Sequence, residues 1–389
     1  MNTRLLNSWV EISETAYAHN IAFFRKLIPA HTEFSVVVKA NAYGHGIDEI
    51  AELAVKHGAD SFCVHSLEEA LRLRKLGLSQ DVLIMGPVPL KLISEVVKND
   101  FRLGLYNLET LSELILLTRK MKKPVRVHLK LETGTYRQGI DAELLPEFLD
   151  RLKDSPLVKL EAAYTHFANI EDTTSHEYAY FQLNGFKKMV EKIRANGFPG
   201  AKQHTACSAA TLLFPETHCN MVRIGISQYG LWPSRETFVS FKITHAKNKE
   251  DVLQPVLSWK TRVGQIKRVP ANQSIGYGCT YQTTRESRIA VLPIGYSDGY
   301  DRELSNQSHV LIRGRRAPIR GRVCMNLIMV DITDMPEVKL EDEAVLIGRQ
   351  GNETITADYL AGLIGTINYE LVTRINWQIP RLIISQAGS

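Results

Sequence analysis

Cysteine is scarce and unorganised in this chain. Cys63, Cys207, Cys219, Cys279 and Cys324 are odd in number, scattered, and never spaced as Cys-x-x-Cys. That argues against a disulfide framework or a zinc ribbon, and for a reducing compartment. No run of ~18 apolar residues occurs, so no membrane span is expected. Dense basic runs are also missing: the stretches near Arg119–Lys123 and Arg313–Arg316 read as solvated helix ends and turns, not as a nucleic-acid surface. The opening MNTRLLNSWVEIS has no apolar h-region and no evident cleavage site, which reads as a mature cytoplasmic protein. His166, Asp172, His176 and Glu177 match no helical ligand spacing, so no metal is expected.

What is present is ordinary in bulk and ordered in pattern. The chain has 389 residues, 44% hydrophobic and 23% charged, with a net charge of +5. That is room for one large barrel and a smaller domain. ETAYAHNIAFFRKLI places Tyr17, Ile21, Phe24 and Ile28 on one helical face. Short apolar strands then alternate with amphipathic helices. The strand candidates are 35–40, 61–66, 81–86, 102–107, 125–132, 161–167, 203–208 and 220–226. Nearly continuous apolar strands separated by helices imply a covered parallel sheet. Eight such units predict a (β/α)8 TIM-like barrel, a fold of about 200–250 residues. After Trp232-Pro233-Ser234 the pattern changes. FVSFKITHAKNKEDVLQP (238–255) is polar and without clear period, and reads as a linker. Strand-like segments punctuated by Gly, Asn, Asp and Pro follow, with one helix at TADYLAGLIGTI. The expected organisation is α/β: a barrel over 1–240, then a mostly β C-terminal domain over 241–389.

Barrel enzymes carry their chemistry at the carboxyl ends of the strands. VVVKANAYGHG (36–46) delivers Lys39 there. The fifth strand leads through Glu132-Thr-Gly-Thr-Tyr to Arg137; the sixth ends in Thr165-His166-Phe167; the seventh in Cys207-Ser208; the eighth carries Arg223 and ends in Gly225-Ile226. A partly desolvated rim lysine suits Schiff-base chemistry. The Ser208 hydroxyl with the N–H groups of Gly225 and Ile226 suits a phosphate. Lysine plus phosphate cradle points to pyridoxal 5'-phosphate (PLP); a sugar-phosphate aldolase also fits these features.

The chain resembles the alanine racemases, fold-type III PLP enzymes, over essentially its whole length. VVVKANAYGHG looks like their PLP-lysine motif. THFA (165–168), HTACSAATLLFP (204–215), NMVRIGISQYG (220–230), IGYGCTY (275–281), PIGYSDGY (293–300), GRVCMNLIMVD (321–331) and GTINYELVTRI (365–375) resemble later family blocks in order. The resemblance implies a cytoplasmic homodimer that interconverts L- and D-alanine and supplies D-alanine for peptidoglycan. Lys39 would hold PLP and act as one base. Tyr277, reaching into the partner subunit's barrel, would be the other. Tyr43, Ser208, Gly225, Ile226 and Tyr369 would hold the phosphate, and Arg223 the pyridine nitrogen. Arg137 would meet the cofactor's phenolic oxygen and the substrate carboxylate, aided by the Met325 N–H. Lys130 stands where some members carry a carbamylated lysine. His166 would support Arg223 and Tyr277, and Tyr296 would line the entrance. A free tyrosine titrates near ~10, and positive charge relayed through His166 and Arg223 is expected to lower it.

Three stretches depart from the family pattern. Cys207 replaces Asn, Asn326-Leu327 replaces Asp-Gln, and Glu132-Thr-Gly-Thr-Tyr replaces Asp-Thr-Gly-Met-x. About ten extra residues, read as a surface insertion, fall near Lys242–Gln254. The resemblance leaves three other readings: a racemase of broader specificity, a PLP-dependent decarboxylase, and a non-catalytic PLP carrier. The decarboxylase is expected to have an acid where Arg223 stands. The carrier is expected to lack the β domain and Tyr277.

Overall fold

A computed structural model describes residues 5–244 and 252–385. These residues sort into two compact units. One comprises the described residues of Ala18–Lys39 and Ala51–Leu253; the other comprises those of Met1–Tyr17, Ala40–Ile50 and Gln254–Ser389. The units interleave along the chain instead of dividing at residue 240. The reason is strand pairing: β1 (Ser8–Ser13), which the sequence pattern did not flag, pairs with strands formed by residues beyond 256.

The first unit is the eight-stranded parallel sheet that the alternation predicts. Its strands are β2 (Glu33–Val37), β3 (Ser61–Val64), β4 (Asp81–Ile84), β5 (Arg102–Leu105), β6 (Val125–Lys130), β7 (Val158–Tyr164), β8 (Lys202–His204) and β9 (Met221–Ile224). They lie in the order β8-β7-β6-β5-β4-β3-β2-β9. The ends meet through Asn220 N–H to Gln203 O (3.0 Å) and Arg223 N–H to Ala206 O (3.0 Å), which close the ring. Strands β3, β5 and β9 are buried at every position, as a sheet covered on both faces requires. The helix Leu67–Lys75 shows how the covering layer is coded. Ser66 and Glu69 form a reciprocal capping box, and Leu67, Ala70 and Leu73 are buried.

The amino-terminal end of this barrel is a charged ring. Arg102, 4% exposed, lies 2.6 Å from Glu33 and 2.7 Å from Asp81, and its Nε is 2.9 Å from Glu161. Arg126 pairs with Asp81 at 2.7 Å, and Ser61 donates to Glu33.

The linker reading is corrected at its start. Residues Arg235–Thr244 are helical, and Phe241 is buried with its ring 6.0 Å from that of Phe23 and 5.6 Å from Trp232. A few apolar anchors stabilised a helix whose polar composition concealed it. Residues 245–251, within the predicted insertion, lie outside the described residues.

The second unit is β-rich. Its strands are β10 (Leu257–Arg262), β11 (Gln265–Val269), β12 (Ser287–Leu292), β13 (His309–Ile312), β14 (Arg315–Pro318), β15 (Ile328–Asp331), β16 (Glu343–Gln350), β17 (Glu353–Ile355) and β18 (Arg381–Ile384). One sheet runs β14-β13-β16-β10-β1-β18 with β17 beside β16; the other runs β11-β12-β15. The predicted helix appears as Ala357–Leu363, capped by Thr356, and a second one follows at Asn368–Thr373.

Burial alone would raise the Glu161 carboxyl, but the His128 hydrogen bond and the Arg102 charge hold it at about 2. A depressed folded value contributes stability above the unfolded value near ~4.3, and that stability is lost as pH falls through the folded value. Urea midpoints should therefore drop between pH ~4.3 and 2. Replacing Arg102 by Met removes the cation shared by the half-buried Glu33, Asp81 and Glu161 and should lower the urea midpoint at pH 7. An unchanged midpoint in that variant would contradict the account.

Candidate active site

The rim residues predicted within the barrel unit come together. Lys39 follows β2, whose neighbours are β3 and β9. Val36 is in register with Ile224, so Lys39 leaves its strand beside the Gly225–Ile226 turn. Burial lowers the Lys39 ammonium below its usual range, and the Arg137 charge lowers it further. A lysine so placed gives up its proton more readily, as a nucleophile or base must.

The phosphate-type cradle is built on Ser208 and the turn after β9. Ser208 Oγ accepts the N–H of Gly225 at 3.0 Å and of Ser227 at 3.4 Å. Ser208 opens a helix, Ser208–Leu213, in which Cys207 holds the capping position. The Cys207 thiol is pushed up to about 11 by burial and is therefore protonated at neutral pH. Its carbonyl accepts from the N–H and hydroxyl of Thr211, both at 2.8 Å.

Arg223 is the centre of the arrangement. Its side chain is buried, and no carboxylate pairs with it among the described residues. Its guanidinium donates to Thr165 O (2.9 Å), His204 O (3.0 Å) and Thr205 O (3.2 Å). It also donates to His204 Nδ1 at 2.6 Å. Arginine can only donate, so Nδ1 must accept and the His204 proton lies on Nε2. That proton points to His128 Nδ1 at 2.9 Å; His128 Nε2–H then donates to Glu161 at 3.2 Å. A single hydrogen-bond chain thus runs from the rim to the charged ring and fixes both tautomers. Tyr164 stacks on His204, ring centroids 4.7 Å apart, with the Arg223 guanidinium 5.4 Å from its ring.

The imidazole bonded to Arg223 is that of His204. Burial and then Arg223 hold His166 well below its ordinary value, so it is neutral and carries no positive charge towards a tyrosine. His166 contributes its carbonyl, which accepts from Thr135 Oγ1 at 2.6 Å. His204 stood unremarked within a strand candidate; nothing in local spacing singles out an inward-facing strand histidine.

Lys130, the last residue of β6, is buried and lies 3.3 Å from Gln138 Oε1. Burial, followed by the charges of Arg137 and Arg223, lowers it to about 8. Arg137 is exposed and makes no hydrogen bond or ion pair among the described residues, so its guanidinium is available to an anion.

The other predicted residues, Tyr43, Tyr277, Tyr296, Met325 and Tyr369, belong to the β-rich unit. Ala40, Asn41, Ala42 and Tyr43 form one left-handed turn, with φ between 52° and 54°. Each non-glycine residue in that region costs ~1–2 kcal/mol. Neighbours over-determine the turn: Asn41 Oδ1 accepts the Ile47 N–H at 3.0 Å, and Arg381 donates to Gly44 O at 2.8 and 3.2 Å. Gly44 has φ of 83°, and a Cβ there would sit 2.0 Å from Val372 O. The turn presents Tyr43, whose ring centroid is 6.1 Å from that of Tyr369. Tyr296 lines a cleft of about 850 Å³ with Ala40, Asn41, Gly44, Arg302 and Trp377. Tyr277 rides a loop closed by the Ser274–Gln282 bridge and is 73% exposed. Met325 O accepts from Ser297, and Asn326 Nδ2 donates to Ser297 Oγ at 2.7 Å, a role an aspartate could not fill.

Two family models match: the alanine racemase N-terminal domain over residues 12–233 and the alanine racemase C-terminal domain over 256–383. The alanine racemase of Leptospira interrogans is 38% identical over 380 residues, covering 97% of this chain and 96% of that protein. That of Methanococcus maripaludis is 37% identical over 378 residues, covering 97% and 98%. Among solved structures, the alanine racemase of Bacillus anthracis with bound L-Ala-P superposes with a TM-score of 0.89 at 38% identity, covering 97% of this chain and 95% of that one. The alanine racemase of Bartonella henselae with covalently bound pyridoxal phosphate gives 0.84 at 27% identity, covering 97% and 100%.

Lys130 should acetylate with a pH midpoint of about 8, read by peptide mass spectrometry. Arg137→Met removes the larger of the two charge contributions and should move the midpoint upwards. A wild-type midpoint near ~10.4, the value of an ordinary lysine, would show that the pocket exerts no such field.

Proposed function

The chain belongs to the alanine racemase family, and on that premise we propose that it interconverts L- and D-alanine with pyridoxal 5'-phosphate bound at Lys39. The observation that carries the proposal is the rim of the barrel unit. A lysine with a lowered pKa, a serine–glycine anion cradle and a buried arginine without a carboxylate converge there. These donors fit the cofactor. Backbone N–H groups at Gly225 and Ile226 and the Ser208 hydroxyl suit a phosphate; Lys39 suits a carbonyl carbon; and Arg223 suits a pyridine nitrogen.

The bound cofactor supplies an electron sink that makes the substrate's Cα–H bond acidic. Every other task falls to the chain. Arg137 holds the substrate carboxylate, which fixes the Cα–H bond relative to the bases. Lys39 Nζ moves the proton on one face of Cα. Tyr277 of the partner subunit moves it on the other, so the enzyme is a homodimer with shared sites. Its exposure and its place on a closed loop suit a residue that acts outside its own subunit. Arg223 keeps its proton at any physiological pH, so it donates to the pyridine nitrogen without protonating it. That limits charge build-up in the ring and favours proton return over side reactions. The same arginine disfavours a decarboxylase, for which an acid is expected there. Tyr296 narrows the entrance, which suits alanine over larger amino acids. No helix among the described residues is long and apolar enough to cross a membrane; we place the enzyme in the cytoplasm, supplying D-alanine to peptidoglycan synthesis. Lys130, lowered to about 8, is a candidate for carbamylation beside Arg137.

The test is complementation. The PLP-loaded wild type should convert L-alanine to D-alanine. Lys39→Ala and Tyr277→Phe should each lose at least ~100-fold. Mixed and refolded together, they should regain about a quarter of wild-type activity, because half the dimers are hybrid and each hybrid has one intact site. No recovery would contradict the shared site, and no alanine turnover by the wild type would sink the racemase reading.

A further inference from the structure

The loop that carries Arg137 is tied down by residues to which no role has been given. Arg137 itself is unpaired, and the preceding Tyr136 is exposed with φ of 47°. At the tip the Tyr136 backbone bonds to Glu132, and beyond it Gln138 donates to the Tyr106 hydroxyl at 3.0 Å. Its stem is held by the helix Glu177–Ala195. Gln182 on that helix is fully buried, at 0% exposure. Its Oε1 accepts the Ala168 N–H at 2.8 Å. Its Nε2 faces His166 O at 3.3 Å and the hydroxyls of Thr133 and Thr135 at 3.4 Å each. Thr135 Oγ1 donates to His166 O at 2.6 Å, and the hydroxyls of Thr133 and Thr165 are 2.7 Å apart. Glu132 closes the stem by accepting the N–H groups of Gly134 and Thr135 at 2.6 and 2.7 Å. One helical turn before Gln182, the Tyr178 hydroxyl donates to Gly134 O at 2.7 Å. The approach requires glycine: a Cβ at position 134, where φ is 130°, would lie 2.7 Å from that hydroxyl.

We propose that Gln182 and Thr135 form a latch that ties the loop after β6 to the loop after β7, and so positions Arg137 for the substrate carboxylate. A buried carboxamide is retained only where its partners satisfy it, and every partner of this one lies on those two rim loops. A glutamine serving only helix packing would have bonded within its helix or to neighbouring helices. The arrangement also assigns a task to a departure from the family pattern: Thr135 stands where Met is common, and a thioether could not donate to His166 O. Both are positioning residues acting through Arg137, and the inference rests on the reading of Arg137 as carboxylate ligand in a racemase.

Two shape-conserving variants of the PLP-loaded enzyme test it. Gln182→Met keeps the volume and removes the bonds; Thr135→Val removes only the hydroxyl. Gln182→Met should raise KM for L-alanine by ~10-fold or more while kcat stays within ~3-fold, because a displaced Arg137 weakens carboxylate binding. Calorimetry with propionate, the substrate's carbon skeleton without its amino group, should show the same fold-loss of affinity in both variants' rank order. Thr135→Val should give a smaller rise, and the double variant less than the product of the two, since they share His166 O. Unchanged KM and propionate affinity in Thr135→Val would overturn the latch even if Gln182→Met fails to fold. So would a fall in kcat and cofactor occupancy at constant KM, which marks a purely structural residue. Absence of alanine turnover by the unaltered holoenzyme would instead overturn the racemase reading beneath it.

Discussion

A buried guanidinium without a carboxylate governs this site. Arg223 carries its charge into the barrel and balances it with carbonyl dipoles and one imidazole lone pair. A carboxylate partner would have neutralised the local field. Without one, the field reaches Lys130, His166 and His204, and each is lowered from its ordinary value partly by Arg223. Burial is the larger cause in every case, and the arginine acts in the same direction. The result is a rim in which the only permanent cations are arginines, while lysine and histidine lose protons readily. Such a rim binds anions and still offers a base.

The price of burying that charge is met by geometry. The Arg223–His204–His128–Glu161 chain ends on a carboxylate that itself belongs to the Arg102 ring. Stability at one end of the barrel and chemistry at the other are therefore linked by one run of fixed tautomers. The β-rich unit repeats the device: Arg381 is buried and donates to the carbonyls of Gly44, Ile375, Asn376 and Ile379. There it secures a strained left-handed turn. Strain of this kind persists only where the surroundings over-determine it, and it concentrates at functional positions.

Much of this was legible in the sequence because the barrel's period is local. Apolar strands alternating with amphipathic helices gave eight units, and strand ends then nominated Lys39, Arg137, Ser208 and Arg223, all of which the fold places on one unit. Non-local features escaped. Pairing of Ser8–Ser13 with Leu257–Arg262 leaves no mark in either segment alone. The glycines of VVVKANAYGHG announced a turn, yet the left-handed stretch begins four residues before them, at Ala40, and runs through Tyr43 into Gly44. His204, His128, Glu161 and Gln182 were invisible because a buried polar side chain is defined by partners far away in sequence.

The central claim is that the Arg223 field and burial keep the rim histidines neutral and His204 locked as its Nε2–H tautomer. Nitrogen-15 NMR of the histidine side chains, followed from pH 8 down to pH 5, tests it most directly. The account predicts that His166 and His204 stay neutral throughout, with His204 Nδ1 unprotonated. Titration of either residue near pH ~6.5, the value of an unperturbed imidazole, would contradict it.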